Sequence, residues 1–143
     1  MNENRKIENK HKSVLNLKHV FIDEIIFERR ENDNFKENLN FKLGCIVEPK
    51  EDSKFYIVKV SAELGDEDNL DTAYLKLSVC GEFNIEFNND IDDNIKELLI
   101  KKNTISILFP YLRSYITTVT SQTGMKPIIL PPINVNAVLE NKK

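Results

Sequence analysis

Hydrophobic and polar positions along this chain change period twice, and the changes mark its elements. The first dozen residues are polar and aperiodic, which predicts a tail over residues 1–13 ahead of a single domain over 14–143. From Val14 to Glu28 apolar, β-branched positions dominate. Leu15, Leu17, Phe21, Ile25 and Phe27 fall at odd spacing, with Ile22 and Ile26 on the other face. That reads as a long strand. After a polar loop interrupted by Phe35, strict alternation through Leu39, Phe41, Leu43, Cys45 and Val47 gives a second strand ending at Pro49. Tyr56, Val58, Val60, Ala62 and Leu64 form the apolar face of a third, and Gly65 opens a turn. A fourth carries Ala73, Leu75, Leu77, Val79, Gly81, Phe83, Ile85 and Phe87 on one face. Four successive strands with hairpin-length connections imply an antiparallel sheet, polar on one face and needing a cover on the other.

The period then becomes helical. Asp90 suits the cap of a short helix with Ile91, Ile95, Leu98 and Leu99 as its stripe and Lys101 and Lys102 near its end. Pro110 suits the first turn of a second helix that Gly124 closes, with Leu112, Ile116 and Val119 at helical spacing. Lys126 to Ile133 contains three prolines and reads as an extended connector, and Val135 to Glu140 suffices only for a short terminal helix. The expected fold class is α+β, a four-stranded antiparallel sheet with C-terminal helices packed on one face.

Charge placement sharpens this picture more than total charge does. The 143 residues are 41% hydrophobic and 30% charged, with a formal net charge of −3, so a dedicated nucleic-acid binder is not expected. From Asn103 to Leu139, however, only Arg113 and Lys126 are charged, where the chain-wide frequency would put about eleven. That quarter of the chain is either buried or a sticky surface. The second helix is rich in threonine, poor in helix propensity and almost free of charge, which suits a helix held by packing on most sides, as at a subunit interface. There is no eighteen-residue apolar run and no apolar leader-like segment, so the expectation is a cytoplasmic protein without stable membrane insertion.

Candidate chemistry is sparse. The run Asp66, Glu67, Asp68, Asn69, Asp71 lacks the central glycine and closing glutamate of a calcium loop and reads as a hairpin turn. Asp90, Asp92 and Asp93 are explained as a cap with an acidic first turn. His11 and His19 offer no metal-ligand spacing, and a nucleophilic pair of His19 with Cys45 or Cys80 lacks local support for activation. No phosphate-binding or nucleophile-elbow motif occurs. The reading is therefore no enzyme, no metal and no cofactor. Phe35, Phe41, Leu43, Leu130, Ile133 and Val135 either close the core or line a groove for apolar polypeptide segments.

Specific runs bear on that choice. Ile107-Leu108-Phe109-Pro110-Tyr111-Leu112-Arg113, then Ile116-Thr117, Gly124, and Leu130-x-Pro132-Ile133-Asn134-Val135 closely resemble the signature of the SecB family of protein-export chaperones. Val60-Ser61-Ala62-Glu63-Leu64-Gly65, Thr72-Ala73-Tyr74-Leu75, Gly81-x-Phe83-x-Ile85 and Asp23-Glu24-Ile25-Ile26-Phe27-Glu28 are similar too. The resemblance spans about residues 14–140. It implies an ATP-independent holdase for unfolded polypeptides and preproteins, assembled as a homotetrameric dimer of dimers. Phe35, Phe41, Leu43, Cys45, Ile128, Leu130, Ile133, Val135 and Leu139 would then contact clients, and Leu112, Ile116, Thr117, Val119 and Thr120 would form the oligomer interface. Glu24 and Glu28 match first-strand acids that meet the export ATPase SecA in export members. Two departures, Lys76 in place of an expected acid and an ending at Asn141-Lys142-Lys143 without an acidic tail, fit instead the SecB-like branch that guards the antitoxin of a toxin–antitoxin system.

Overall fold

The computed structural model describes residues 13–30, 41–50, 54–87 and 92–135. Strands β1 (Ser13–Glu28), β2 (Phe41–Pro49), β3 (Phe55–Leu64) and β4 (Tyr74–Phe87) form one antiparallel sheet in the order β1-β4-β3-β2. Only β2–β3 and β3–β4 are hairpin neighbours. β1 pairs with β4 and β2 sits at the opposite edge, so β1 and β2 do not form a hairpin.

One helix, α1 (Asp93–Gln122), covers one face of this sheet, chiefly over β4 and β3. The expected pair of helices is thus a single one, and Pro110 lies inside it. Proline removes one backbone hydrogen bond and would normally break a helix, at about 3 kcal/mol. Here Ser106 and Pro110 face solvent, so water can reach the carbonyl that Pro110 leaves free. On the opposite side Ile105, Leu108, Phe109 and Leu112 are buried against the sheet and hold both halves in line. Asp92 occupies the N-cap without a side-chain cap bond, while Asp90 lies outside the described residues.

The buried stripe of α1 is Ile100, Thr104, Ile105, Leu108, Phe109, Leu112, Ile116 and Thr120. Ile95 and Leu98, expected to be buried, are exposed. The two buried threonines return their hydroxyls to the carbonyls four residues back, Thr104 to Ile100 at 2.6 Å and Thr120 to Ile116 at 2.7 Å, so neither donor is left unpaired. The helix closes at Thr123, and Gly124 adopts a positive φ of 82°, the left-handed conformation that only glycine adopts freely. Arg29, just past β1, donates to the Thr123 carbonyl and ties this end of the helix to the sheet.

Facing the helix are Val58, Val60, Ala62 and Leu64 of β3 and Leu75, Leu77, Val79, Phe83 and Ile85 of β4, each at most 2% exposed. β1 is less regular than its sequence suggests. Register shifts between Leu17 and His19 and between Ile22 and Glu24 each insert an extra residue and reverse which positions face the helix. Leu15, Leu17, Val20, Ile22, Ile25 and Phe27 therefore share the helix-covered face, while Phe21 turns to the other with His19, Glu24 and Ile26.

Candidate functional site

The connector after α1 is built onto the helix by side chains. Arg113 Nε donates to the Leu130 carbonyl at 2.9 Å, and Thr117 Oγ1 to the Ile128 carbonyl at 2.8 Å. The Ile128 amide in turn donates to Thr120 Oγ1 at 2.9 Å. Met125 and Leu130 are consequently buried, and Ile129, between the bonded residues Ile128 and Leu130, is 74% exposed.

Around the core on this face runs a rim of half-buried apolar side chains. Leu43, Cys45 and Val47 supply it from edge strand β2, Ile107, Tyr115 and Val119 from α1, and Ile128, Ile133 and Val135 from the connector. Of the residues expected to contact clients, Leu43, Cys45, Ile128, Ile133 and Val135 belong to this rim. Leu130 does not: at 2% exposed it is core, while its neighbour Ile129 faces outward. Phe35 and Leu139 lie outside the described residues, as does the side chain of Phe41, and the expected terminal helix lies outside them but for Val135.

The residues expected at an oligomer interface divide in the same way. Leu112, Ile116 and Thr120 are fully buried within the chain's own core, so they cannot also face a second copy. Thr117 and Val119 are half-buried. From residue 106 on, the outward face of α1 is Ser106, Pro110, Tyr111, Ser114, Thr118 and Ser121, without a charge. On β1, Ile22 and Ile25 remain 39% and 44% exposed on the helix side because α1 does not extend over that edge.

Among the described residues, the opposite face of the sheet carries four ion pairs. Lys59 Nζ meets Asp23 at 2.9 Å, Lys76 meets Glu24 at 3.5 Å, Lys54 meets Glu86 at 3.4 Å and Arg30 meets Glu28 at 2.8 Å. The hydrogen bond to Asp23 holds the Lys59 ammonium above its ordinary pKa. A cavity of about 310 Å³ on this face is lined by Phe21, Asp23, Ile46, Glu48, Ile57, Lys59 and Cys80. Burial pushes the Cys80 thiol up, which disfavours the thiolate a nucleophile needs. His19 stacks on Phe21 at 5.3 Å, and Cys45 lies on the other side of the sheet. Among the described residues no group of three or more His, Cys, Asp or Glu side chains could hold a metal ion. No helix among them is long and apolar enough to cross a membrane.

The acidic run after Gly65 has its own cation. Asp66 and Asn69 side chains accept from the amides of Asp68 and Asp71 at 3.0 Å each, and Arg30 donates to the Asp66 and Asn69 carbonyls at 2.6 and 2.8 Å. Its guanidinium also lies 5.1 Å from the centre of the Tyr74 ring. The loop is a turn locked by an arginine.

Comparison with known proteins places this geometry. A family model described as preprotein translocase subunit SecB matches residues 8–143. An uncharacterised protein of Methanocaldococcus jannaschii is 32% identical over 122 residues, 84% of this chain and 77% of that one. The protein-export protein SecB of Actinobacillus succinogenes is 26% identical over 132 residues, 87% of this chain and 78% of that protein. Among solved structures, a SecB-like chaperone of Mycobacterium tuberculosis in complex with a peptide from the HigA1 antitoxin shares the fold, with a TM-score of 0.65 at 14% identity. It covers 84% of this chain, and the match spans 91% of that one.

Proposed function

Because this chain belongs to the SecB family, we propose that it is an ATP-independent holdase that binds unfolded polypeptides and keeps them from folding or aggregating. The observation carrying this reading is the rim of half-buried apolar side chains from β2, α1 and the connector on the helix-covered face. Such a rim offers apolar area to an extended segment, and edge strand β2, paired only with β3 among the described residues, offers backbone groups beside it. Burial of client side chains supplies affinity without sequence specificity, and no catalytic residue or cofactor is required. The working form is a cytoplasmic homotetramer, with second copies packing on the uncovered Ile22 and Ile25 of β1 and on the charge-free outward face of α1 from Ser106 to Ser121. Light scattering from a thermally unfolding client tests the reading. Full suppression at stoichiometric tetramer is expected, and undiminished scattering would refute it.

The client is either a range of preproteins passed to SecA or one antitoxin. The ion pairs on the opposite face favour the second. Glu24 and Glu28, the acids expected to meet SecA, are each engaged by a cation of the same chain, Lys76 and Arg30. A basic partner gains less from acids that already face a cation of the same chain. Measured SecA binding should therefore be weak, and Lys76→Glu should strengthen it several-fold. Tight binding by the unaltered protein would return the reading to general export.

A further inference from the structure

The three bonds between α1 and the connector do more than close the chain onto its core. Residues 113, 117 and 120 lie on one helix face, and the connector runs antiparallel to them, with residue 128 beside Thr117 and Thr120 and residue 130 beside Arg113. Pro127, Pro131 and Pro132 hold their preceding residues extended and carry no N–H of their own, so the segment cannot be fixed as a strand would be. Side-chain donors and acceptors on the helix take the place of a neighbouring strand. In an extended segment successive side chains alternate, so fixing the backbone at Ile128 and Leu130 turns Leu130 inward and Ile129 outward. Among the described residues Ile129 is the most exposed of the large hydrophobic side chains, yet its backbone is pinned on both sides.

We propose that Arg113, Thr117 and Thr120 are positioning residues for client binding, holding the connector so that Ile129 meets an apolar segment of the bound polypeptide. The proposal rests on the holdase reading and adds the residues that set its contact. Ile129 continues the half-buried Ile128, Ile133 and Val135 along one segment that carries no acid to repel or pair with a client. A contact held in place before binding costs less ordering entropy than a mobile one, which is why the bonds matter to affinity.

The test is a double-mutant cycle on the full chain, using Thr117→Val, Ile129→Ser and the pair together. The readout is the Kd for a labelled, permanently unfolded polypeptide, with amide exchange at Ile128 measured in parallel. Each single substitution is expected to weaken binding about threefold to tenfold, with the oligomer mass unchanged and Ile128 exchange faster in Thr117→Val. The pair should bind no more weakly than Ile129→Ser alone, because both act through the same contact. Arg113→Gln repeats the cycle should Thr117→Val fold poorly. Additive losses, faster exchange with unaltered Kd, or a changed mass in Ile129→Ser would each overturn the proposal. If the unaltered protein bound no unfolded polypeptide, the holdase reading itself would fall. Unchanged Ile128 exchange in both ladder variants would sink the ladder alone.

Discussion

Gly81 lies where α1 comes closest to the sheet, and adding one methyl group there tests the packing that positions everything else. A Cβ at this position would meet Phe83 Cε2 at 2.6 Å and Leu108 Cδ2 at 2.8 Å. Carbon atoms rest at about 3.5–4.0 Å, so the overlap is about 1 Å against two side chains that are both 0% exposed and have no solvent to turn into. Overpacking of this kind costs about 1–3 kcal/mol. With a urea m-value of about 2 kcal/mol per molar, Gly81→Ala should lower the midpoint by about 0.5–1.5 M. The chain has no tryptophan, so far-UV circular dichroism is the probe, at fixed protomer concentration because assembly contributes to stability. Leu108→Ala alone should cost about 2–5 kcal/mol by leaving a cavity. The double variant should be less destabilised than the sum of the singles, by about 1–2 kcal/mol, since the new methyl occupies part of the space Leu108 vacates. Strict additivity would show that α1 does not seat on Gly81 through Leu108.

Other consequences can be checked in the same preparations. Burial, with Glu63 nearby, pushes the Tyr74 phenol up to about 12. A folded-state value above the unfolded one of 10 means that stability is fully present below pH 10 and is lost as pH rises toward 12. Tyr74→Phe should flatten that part of the pH–stability curve, and an unchanged slope would count against the assignment. Arg30, with its side chain 6% exposed, holds the 66–71 turn through two carbonyls. Arg30→Ala should cost about 2–4 kcal/mol and speed amide exchange in that turn, whereas protection equal to the parent would refute the lock. Leu130→Asp should unfold the protein, because it buries a charge in the core; a folded variant that merely loses client binding would put Leu130 back at the surface.

How legible these features were depended on what kind of signal carried them. Alternation alone located β3 and β4, because nearly every second residue is aliphatic and fully covered. The same rule misplaced Phe21, since two bulges in β1 shift the phase twice and no residue type announces a bulge. Pro110 was read as a helix start because its backbone penalty is local and visible, whereas the burial on either side that outweighs it is not. The stripe of α1 stayed hidden because Thr104 and Thr120, polar in isolation, are buried once their hydroxyls find carbonyls one turn back. In the candidate site, the apolar, charge-poor connector was evident, but choosing Ile129 over Leu130 required the Arg113 and Thr117 bonds that fix its phase. Arg113, the only charge on α1 after Lys102, meets a backbone carbonyl.

Isoleucines stand on both faces of the sheet, and this gives the account its most direct test. With isoleucine methyl groups labelled, a titration with an unfolded polypeptide can be followed by nuclear magnetic resonance, residue by residue. Binding along the helix-covered rim predicts that signals of Ile107, Ile128, Ile129 and Ile133 shift or broaden while Ile26, Ile46 and Ile57 on the other face stay unmoved. Perturbation confined to Ile26, Ile46 and Ile57, or none on either face at saturating client, would contradict it.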